Sequence, residues 1–277
     1  MPLYLGGQRI ARLYKGAAPL ARAWRGAEKV FDADEDAAEG APLDGLANVT
    51  GAWSLSRKLL SSFEGAFYTL DTGVASVADQ TGNSRHLAQA TGAAQPSLAS
   101  TGPQNRAAAR HDGADDLLQT VALSSLIAAG TGHIVFCGIV RAIASDNAIA
   151  PNDAMWGDSA GYVANFLRST GPSVNAYNYD GTDDVVSITT GFALDAIFVH
   201  EWRHEGGNLH ARVNGGSWSS AASGNTPVLS GLLRTGTWYT GIGIFTALDL
   251  FEIVTFNAVP DEEERDALVA NMTAYYG

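Results

Sequence analysis

The 277 residues are 46% hydrophobic, with 29 Asp and Glu against 17 Lys and Arg and a formal net charge of −12. That composition supports a large core and excludes a disordered chain, and the acidic balance argues against nucleic acid and anionic lipid as partners. No apolar run approaches the roughly 18 residues of a membrane span, so no membrane insertion is expected. The single cysteine, Cys137, excludes a disulfide framework and reads as a small buried strand residue.

In chain order, the first element is a basic repeat. Residues 1–30 carry Arg9, Arg12, Lys15, Arg22, Arg25 and Lys29 against Glu28 alone, and residues 8–17 are echoed by residues 18–27. Each unit alternates apolar and basic positions and ends at a glycine, the pattern of short strands in a meander. So small a piece cannot bury its own apolar face, and Ile10, Leu13, Tyr14, Leu20 and Trp24 are expected to contact a partner. Met1 to Ile10 lacks the charged start and apolar core of a secretion signal, which implies folding in a cytoplasm. An acidic, small-residue run follows, giving a division into a β-repeat anchor over 1–31, a linker over 32–45 and one large domain over 46–277.

The large domain reads as all-β. Runs of β-formers at 67–70, 134–143, 162–168, 173–179, 185–190, 196–203, 209–213 and 248–256 are separated by Gly, Asn, Asp and Ser clusters, which predicts a sandwich or barrel. Pro260 with Asp261, Glu262, Glu263 and Glu264 starts a terminal helix whose apolar stripe is Leu268, Met272, Tyr275 and Tyr276.

Residues 200–210 fit HExxHxxGxxH, with His200, His204 and His210 as the ligands of a would-be zinc protease. That chemistry needs a helix, which brings residues four apart onto one face about 6 Å from each other; four residues of strand span about 13 Å. Residues 196–199 are β-branched and aromatic, 205–208 form a turn, 209–213 alternate, and 214–216 is a hairpin signal. The stretch reads as strand, turn, strand, and no metal is assigned.

Three segments together resemble the concanavalin A-like (laminin G-like) jelly-roll superfamily: 79–87 with Gln95-Pro96, 109–118, and the ending from Phe251 to Gly277. The resemblance implies a jelly-roll β-sandwich with a short C-terminal helix and places 199–216 on a strand, turn and strand. Residues 52–62 are similar to the opening of arabinofuranosidase-type members, but no carboxylate motif of those enzymes is matched. The N-terminal repeat resembles segments that begin tailed-phage tail and fibre proteins.

Sugar rings stack on aromatic faces while amides and carboxylates bind their hydroxyls. The candidate carbohydrate-binding residues are Tyr177, Tyr179, Asp180, Trp156 and Trp202, with Tyr162, Asn175, Asn178, Trp218, Trp238 and Tyr239 around them. The loop 180–184 reads as a polar turn, with Ca²⁺ as the alternative, and Asp112, Asp115 and Asp116 as turn-shaping; no other cofactor is expected. These features predict a non-enzymatic virion protein of a tailed phage, homo-oligomeric, attached to other virion proteins through 1–31 and binding host-surface polysaccharide. The alternatives are a glycoside hydrolase on the same fold, a purely structural virion component and the zinc protease.

Overall fold

The computed structural model describes residues 41–141, 154–160, 193–223, 229–237 and 245–277, together with the strands between and before them. The chain divides into two units, Met1–Pro42 and Leu43–Gly277.

The first unit turns its alternating repeat into three short hairpins: β1 (Tyr4–Leu5) with β2 (Gln8–Arg9), β3 (Leu13–Lys15) with β4 (Ala18–Leu20), and β5 (Arg22–Arg25) with β6 (Glu28–Asp32). The pairs close at Leu5↔Gln8, Lys15↔Ala18 and Arg25↔Glu28, across the glycine-containing dipeptides of the repeat. The side chains of Leu13, Tyr14, Leu20 and Trp24, and Ile10 as a whole, lie outside the described residues.

The second unit is a two-sheet jelly-roll sandwich. Its strands are β7 (Val49–Ser54), β8 (Tyr68–Leu70), β9 (Val74–Val77), β10 (Leu87–Ala88), β11 (Ser97–Thr101), β12 (Arg106–Asp112), β13 (Leu118–Ala122), β14 (His133–Val140), β15 (Ala154–Asp158), β16 (Val163–Arg168), β17 (Ser173–Tyr179), β18 (Asp183–Ile188), β19 (Ile197–Glu205), β20 (Asn208–Val213), β21 (Ser219–Ala222), β22 (Leu232–Thr235) and β23 (Ala247–Phe256). One sheet runs β18-β17-β16-β15-β22-β13-β10-β9-β8; the other runs β11-β12-β23-β14-β19-β20-β21, with β7 also paired to β23. Every pairing is antiparallel, so each strand keeps one face inward and one outward.

Two apolar cores follow from that alternation. Between the sheets lie Trp53, Phe136, Trp156, Phe198, Trp202 and Leu250, all fully buried. On the far side of the second sheet, Val135, Val199, Phe251, Val254 and Phe256 meet Leu268, Met272, Tyr275 and Tyr276 of α1 (Glu262–Tyr276). The expected stripe on this helix is the one that is buried. Asp261, next to the proline, is the N-cap: its carboxylate accepts from the Glu264 amide at 2.8 Å and Glu264 returns the bond at 3.1 Å, a capping box.

The helix is also held by buried charge. Arg57 donates to both oxygens of Glu252 (2.9 and 3.1 Å), and the Tyr276 hydroxyl donates to Glu252 at 2.8 Å. Burial alone would lower the Arg57 pKa, but Glu252 outweighs it and holds the guanidinium above its ordinary value. Arg212 bridges Glu201 on the sheet to Asp266 on the helix in the same way. Cys137 is buried in β14, and burial pushes its thiol pKa up.

The HExxHxxGxxH stretch is β19, a two-residue turn and β20. Gly206 and Gly207 have φ of 59° and 74°, the left-handed pair that a tight hairpin between Glu205 and Asn208 requires. His200, Trp202 and His204 share the inward face of β19, whereas His210 pairs with Arg203 on the opposite face. The three imidazoles therefore do not converge. Burial, with His133 adding to it, lowers His200 to about 3 and keeps it neutral.

Candidate functional site

The site begins at the loop between β9 and β10, the first segment of the family-like pattern. Asp79 is buried and its carboxylate is the hub of the loop. Oδ1 accepts from the Thr81 amide (3.0 Å) and hydroxyl (2.8 Å) and the Ala52 amide (3.4 Å); Oδ2 accepts from the Arg85 amide (3.2 Å). The Asp79 amide donates to Nδ1 of His86 at 3.0 Å, so the neutral imidazole carries its proton on Nε2 and offers it outward. Arg85 donates from Nη1 to the Thr50 carbonyl (2.9 Å), while its own carbonyl accepts from Trp53 Nε1 and the Thr120 hydroxyl, both at 2.8 Å. The loop is thus fixed to β7 and β13 by partly buried bonds.

This loop forms one wall of an open cavity of about 350 Å³ that Ala88, Ala90, Gln119, Thr120 and Val121 complete. Its floor continues across the whole sheet. Strand register places Thr69, Ser76, Ala88, Gln119, Arg234, Gly157, Ala164, Tyr177 and Val185 in one row, one residue from each of the nine strands. The next row, Leu118, Thr235, Trp156, Asn165, Ala176 and Val186, contains the core residues Leu118, Trp156, Ala176 and Val186, so Thr69, Ser76, Ala88, Gln119, Arg234 and Tyr177 of the first row face outward. Arg234 Nε donates to Gln119 Oε1 at 3.0 Å, which turns the Gln119 amide donor to the cavity. Burial lowers the Arg234 guanidinium below its usual pKa, and Asp158 only partly offsets it. Between Arg234 and Tyr177 the register places Gly157 and Ala164.

The residues anticipated for the site are divided by this geometry. Tyr177 is half-buried and lies on the outward row. Tyr179 is two residues on in the same strand, with its side chain outside the described residues, as are Asp180, the 180–182 part of the proposed Ca²⁺ loop, Tyr162, Trp238 and Tyr239. Trp156 and Trp202 are corrected. Both are fully buried between the sheets, edge to face with ring centroids 6.0 Å apart, and neither offers a face to a ligand. Trp218 is half-buried and sandwiched by the guanidinium groups of Arg203 and Arg212, 4.2 and 4.4 Å from its ring.

Asp112, Asp115 and Asp116 bring carboxylate oxygens within 4.8 Å of one another. Asp112 accepts from the Ala114 amide at 2.7 Å and Asp116 from the Asp112 amide at 2.9 Å, a turn beside the β13 end. Burial, then the neighbouring Asp112 and Asp115 charges, raise Asp116 to about 6. The sequence reading missed Arg85, His86, Gln119 and Arg234. The Asp-x-Thr-Gly-Asn segment held the signal for the first two; nothing local marks the other two, which become neighbours only through strand order.

No protein-family model matches the chain, and no curated protein matches it at the sequence level. Solved structures share its fold. An arabinofuranosidase complexed with arabinofuranosyl-alpha-1,2-xylobiose superposes with a TM-score of 0.59 at 14% identity, over 86% of this chain and 65% of that one. The binding domain of Paraclostridial Mosquitocidal Protein 1 gives 0.56 at 10% identity, over 80% and 52%. The Trypanosoma rangeli sialidase gives 0.54 at 11%, over 83% and 33%. The chain therefore spans about a third to two thirds of the length of these proteins. These neighbours correct the expectation of a non-enzyme: the same sandwich occurs in proteins named as an arabinofuranosidase and a sialidase, so the fold gives no ground for excluding catalysis.

Proposed function

We propose that the chain is a carbohydrate-active domain, glycosidase-like in kind, which lays a glycan across the outward face of its nine-stranded sheet. The observation that carries this reading is the nine-residue outward row, with hydrogen-bond donors at Gln119 and Arg234, small residues at Gly157 and Ala164, and an aromatic ring at Tyr177. Amide and guanidinium donors bind sugar oxygens and a tyrosine ring packs on a sugar face. The arabinofuranosidase and sialidase names of its structural neighbours support the ligand class. The test is incubation of the full chain with a panel of polysaccharides, reading both binding and chain length of the recovered sugar. Binding to a polysaccharide that weakens at least tenfold in Gln119→Ala or Tyr177→Ala is expected; binding unaffected by either would move the ligand off this face.

Hydrolysis has its own supporting observation. Asp116 holds its proton up to about pH 6 beside two further carboxylates within 4.8 Å. Glycoside cleavage uses a protonated carboxyl and a partner carboxylate, about 5 to 5.5 Å apart in retaining enzymes. Asp116→Asn should then abolish shortening of the sugar while leaving its binding intact, and continued shortening in that variant would place the chemistry elsewhere.

Attachment of the chain to a tailed-phage particle through residues 1–31, with display of the sandwich to host polysaccharide, is a proposal that rests on the N-terminal repeat alone. Deletion of residues 1–31 should then release the chain from particles without changing glycan binding.

A further inference from the structure

Within the proposed glycan face, the cavity beside Gln119 differs in chemistry from the rest of the chain. The protein carries twelve more acidic than basic charges, yet no carboxylate lines this cavity among the described residues. What lines it is donors. Arg85 contributes a guanidinium, His86 the proton of Nε2 because Nδ1 is occupied by the Asp79 amide, and Ser84 a hydroxyl. Gln119 contributes its amide NH₂, since its Oε1 is taken by Arg234. Arg234, bonded to the Gln119 side chain from the next strand, adds a second guanidinium beside the cavity, its charge only partly offset by Asp158. The orientations of Arg85, His86 and Gln119 are set by their bonds to the Thr50 carbonyl, the Asp79 amide and Arg234, so these donors do not have to be ordered when a ligand arrives.

An ionised carboxylate is an acceptor-only group with two oxygens, the complement of such a set, and charge-assisted bonds to guanidinium are the strongest it can make. A neutral sugar hydroxyl needs acceptors as well as donors and finds few here. We propose that this cavity is a subsite for the carboxylate of an acidic sugar, so that the glycan recognised is a uronate-type polyanion. This deepens the proposed function and rests on it.

The test is binding of the full chain to polygalacturonate, to the same polymer with its carboxylates methyl-esterified, to neutral xylan and to dextran sulfate. The expected result is binding to polygalacturonate at least tenfold tighter than to its ester or to xylan. Arg85→Gln and, separately, Arg234→Gln should each remove at least tenfold of that preference, with thermal unfolding confirming an intact fold. Arg85 is half-buried on a loop and its side chain gives up one bond, to the Thr50 carbonyl, when replaced, so its variant keeps the test valid should Arg234→Gln fail to fold. Equal binding of xylan and polygalacturonate would overturn the acidic-sugar subsite and leave the glycan face standing. Equal binding of dextran sulfate, insensitive to both substitutions, would reduce the effect to general electrostatics and also overturn it. No binding to any of the four polymers would overturn the subsite, and failure across the wider panel would remove the proposed function with it.

Discussion

Asp79 has no part in contacting a ligand, yet the loop that presents Arg85 and His86 depends on it. Replacing it with Ala leaves the Thr81 and Arg85 amides without their acceptor in a buried setting. Hydrogen bonds to a charged group contribute about 1.5–3 kcal/mol each, so Asp79→Ala should cost about 3 kcal/mol or more in denaturant unfolding and abolish binding in the cavity. Trp156 and Tyr177 separate packing from recognition within one sheet, on β15 and β17. Trp156→Ala should destabilise by about 3–5 kcal/mol through the void it leaves, whereas Tyr177→Ala should leave the unfolding midpoint within about 1 kcal/mol and weaken glycan binding. Equilibrium unfolding and binding isotherms on the two variants check this. At Asp116 the carboxyl is held at about 6 against an ordinary 3.8, so folding favours its protonated form. The stability it contributes is complete below about pH 3.8 and is lost as pH rises toward 6. Asp116→Asn should therefore gain on the wild type across that window, by at most about 3 kcal/mol, and hold a constant difference above it.

At the scale of elements, what could be read from the sequence depended on whether a strand alternates. Residues 173–179 were bounded correctly because apolar Val174 and Ala176 alternate with Asn175, Tyr177 and Tyr179 in the sequence, and Val174 and Ala176 are in the core while Tyr177 is half-exposed. β15 offers no such contrast: all five of its residues are buried, and Trp156 cannot be assigned a face from its neighbours. β13 and β22 are four or five residues long and carry Gln, Thr and Arg among their leucines, too little pattern to announce a strand. The 200–210 stretch was legible because β-branched residues before it and paired glycines within it outweigh a pattern that has meaning only on a helix. The terminal helix was legible too, but the buried charges that dock it were not, since Arg57, Glu252 and Asp266 are scattered through the chain. Glu252 is fully buried between Arg57 and Tyr276. Removing one partner of a buried ion pair costs about 3–5 kcal/mol, so Glu252→Ala should unfold well below the wild type, while Tyr276→Phe should lose about 1 kcal/mol; thermal melts distinguish them.

For the molecule as a whole, the fold class followed from local pattern and the site did not. The cavity gathers residues from 84–90 and 119–121, segments that share no motif and meet because β10 pairs with β13, while Arg234 reaches Gln119 because β22 lies on the other side of β13. The outward row crosses nine strands spaced about 4.8 Å apart, or roughly 38 Å from end to end. Affinity should climb with oligosaccharide length until the chain spans that distance and then level off, which a length series in calorimetry would reveal.

Because the row takes one outward residue from each strand while the inward neighbours on the same strands build the core, surface chemistry and stability are written on alternate letters of one text. Exposed outward letters such as Ala88 can be changed without rewriting the inward ones. A lineage using this sheet is free to exchange one sugar for another position by position, with the sandwich underneath undisturbed. Solved structures with a similar architecture at 10–14% identity show how little of the sequence such a sandwich itself dictates.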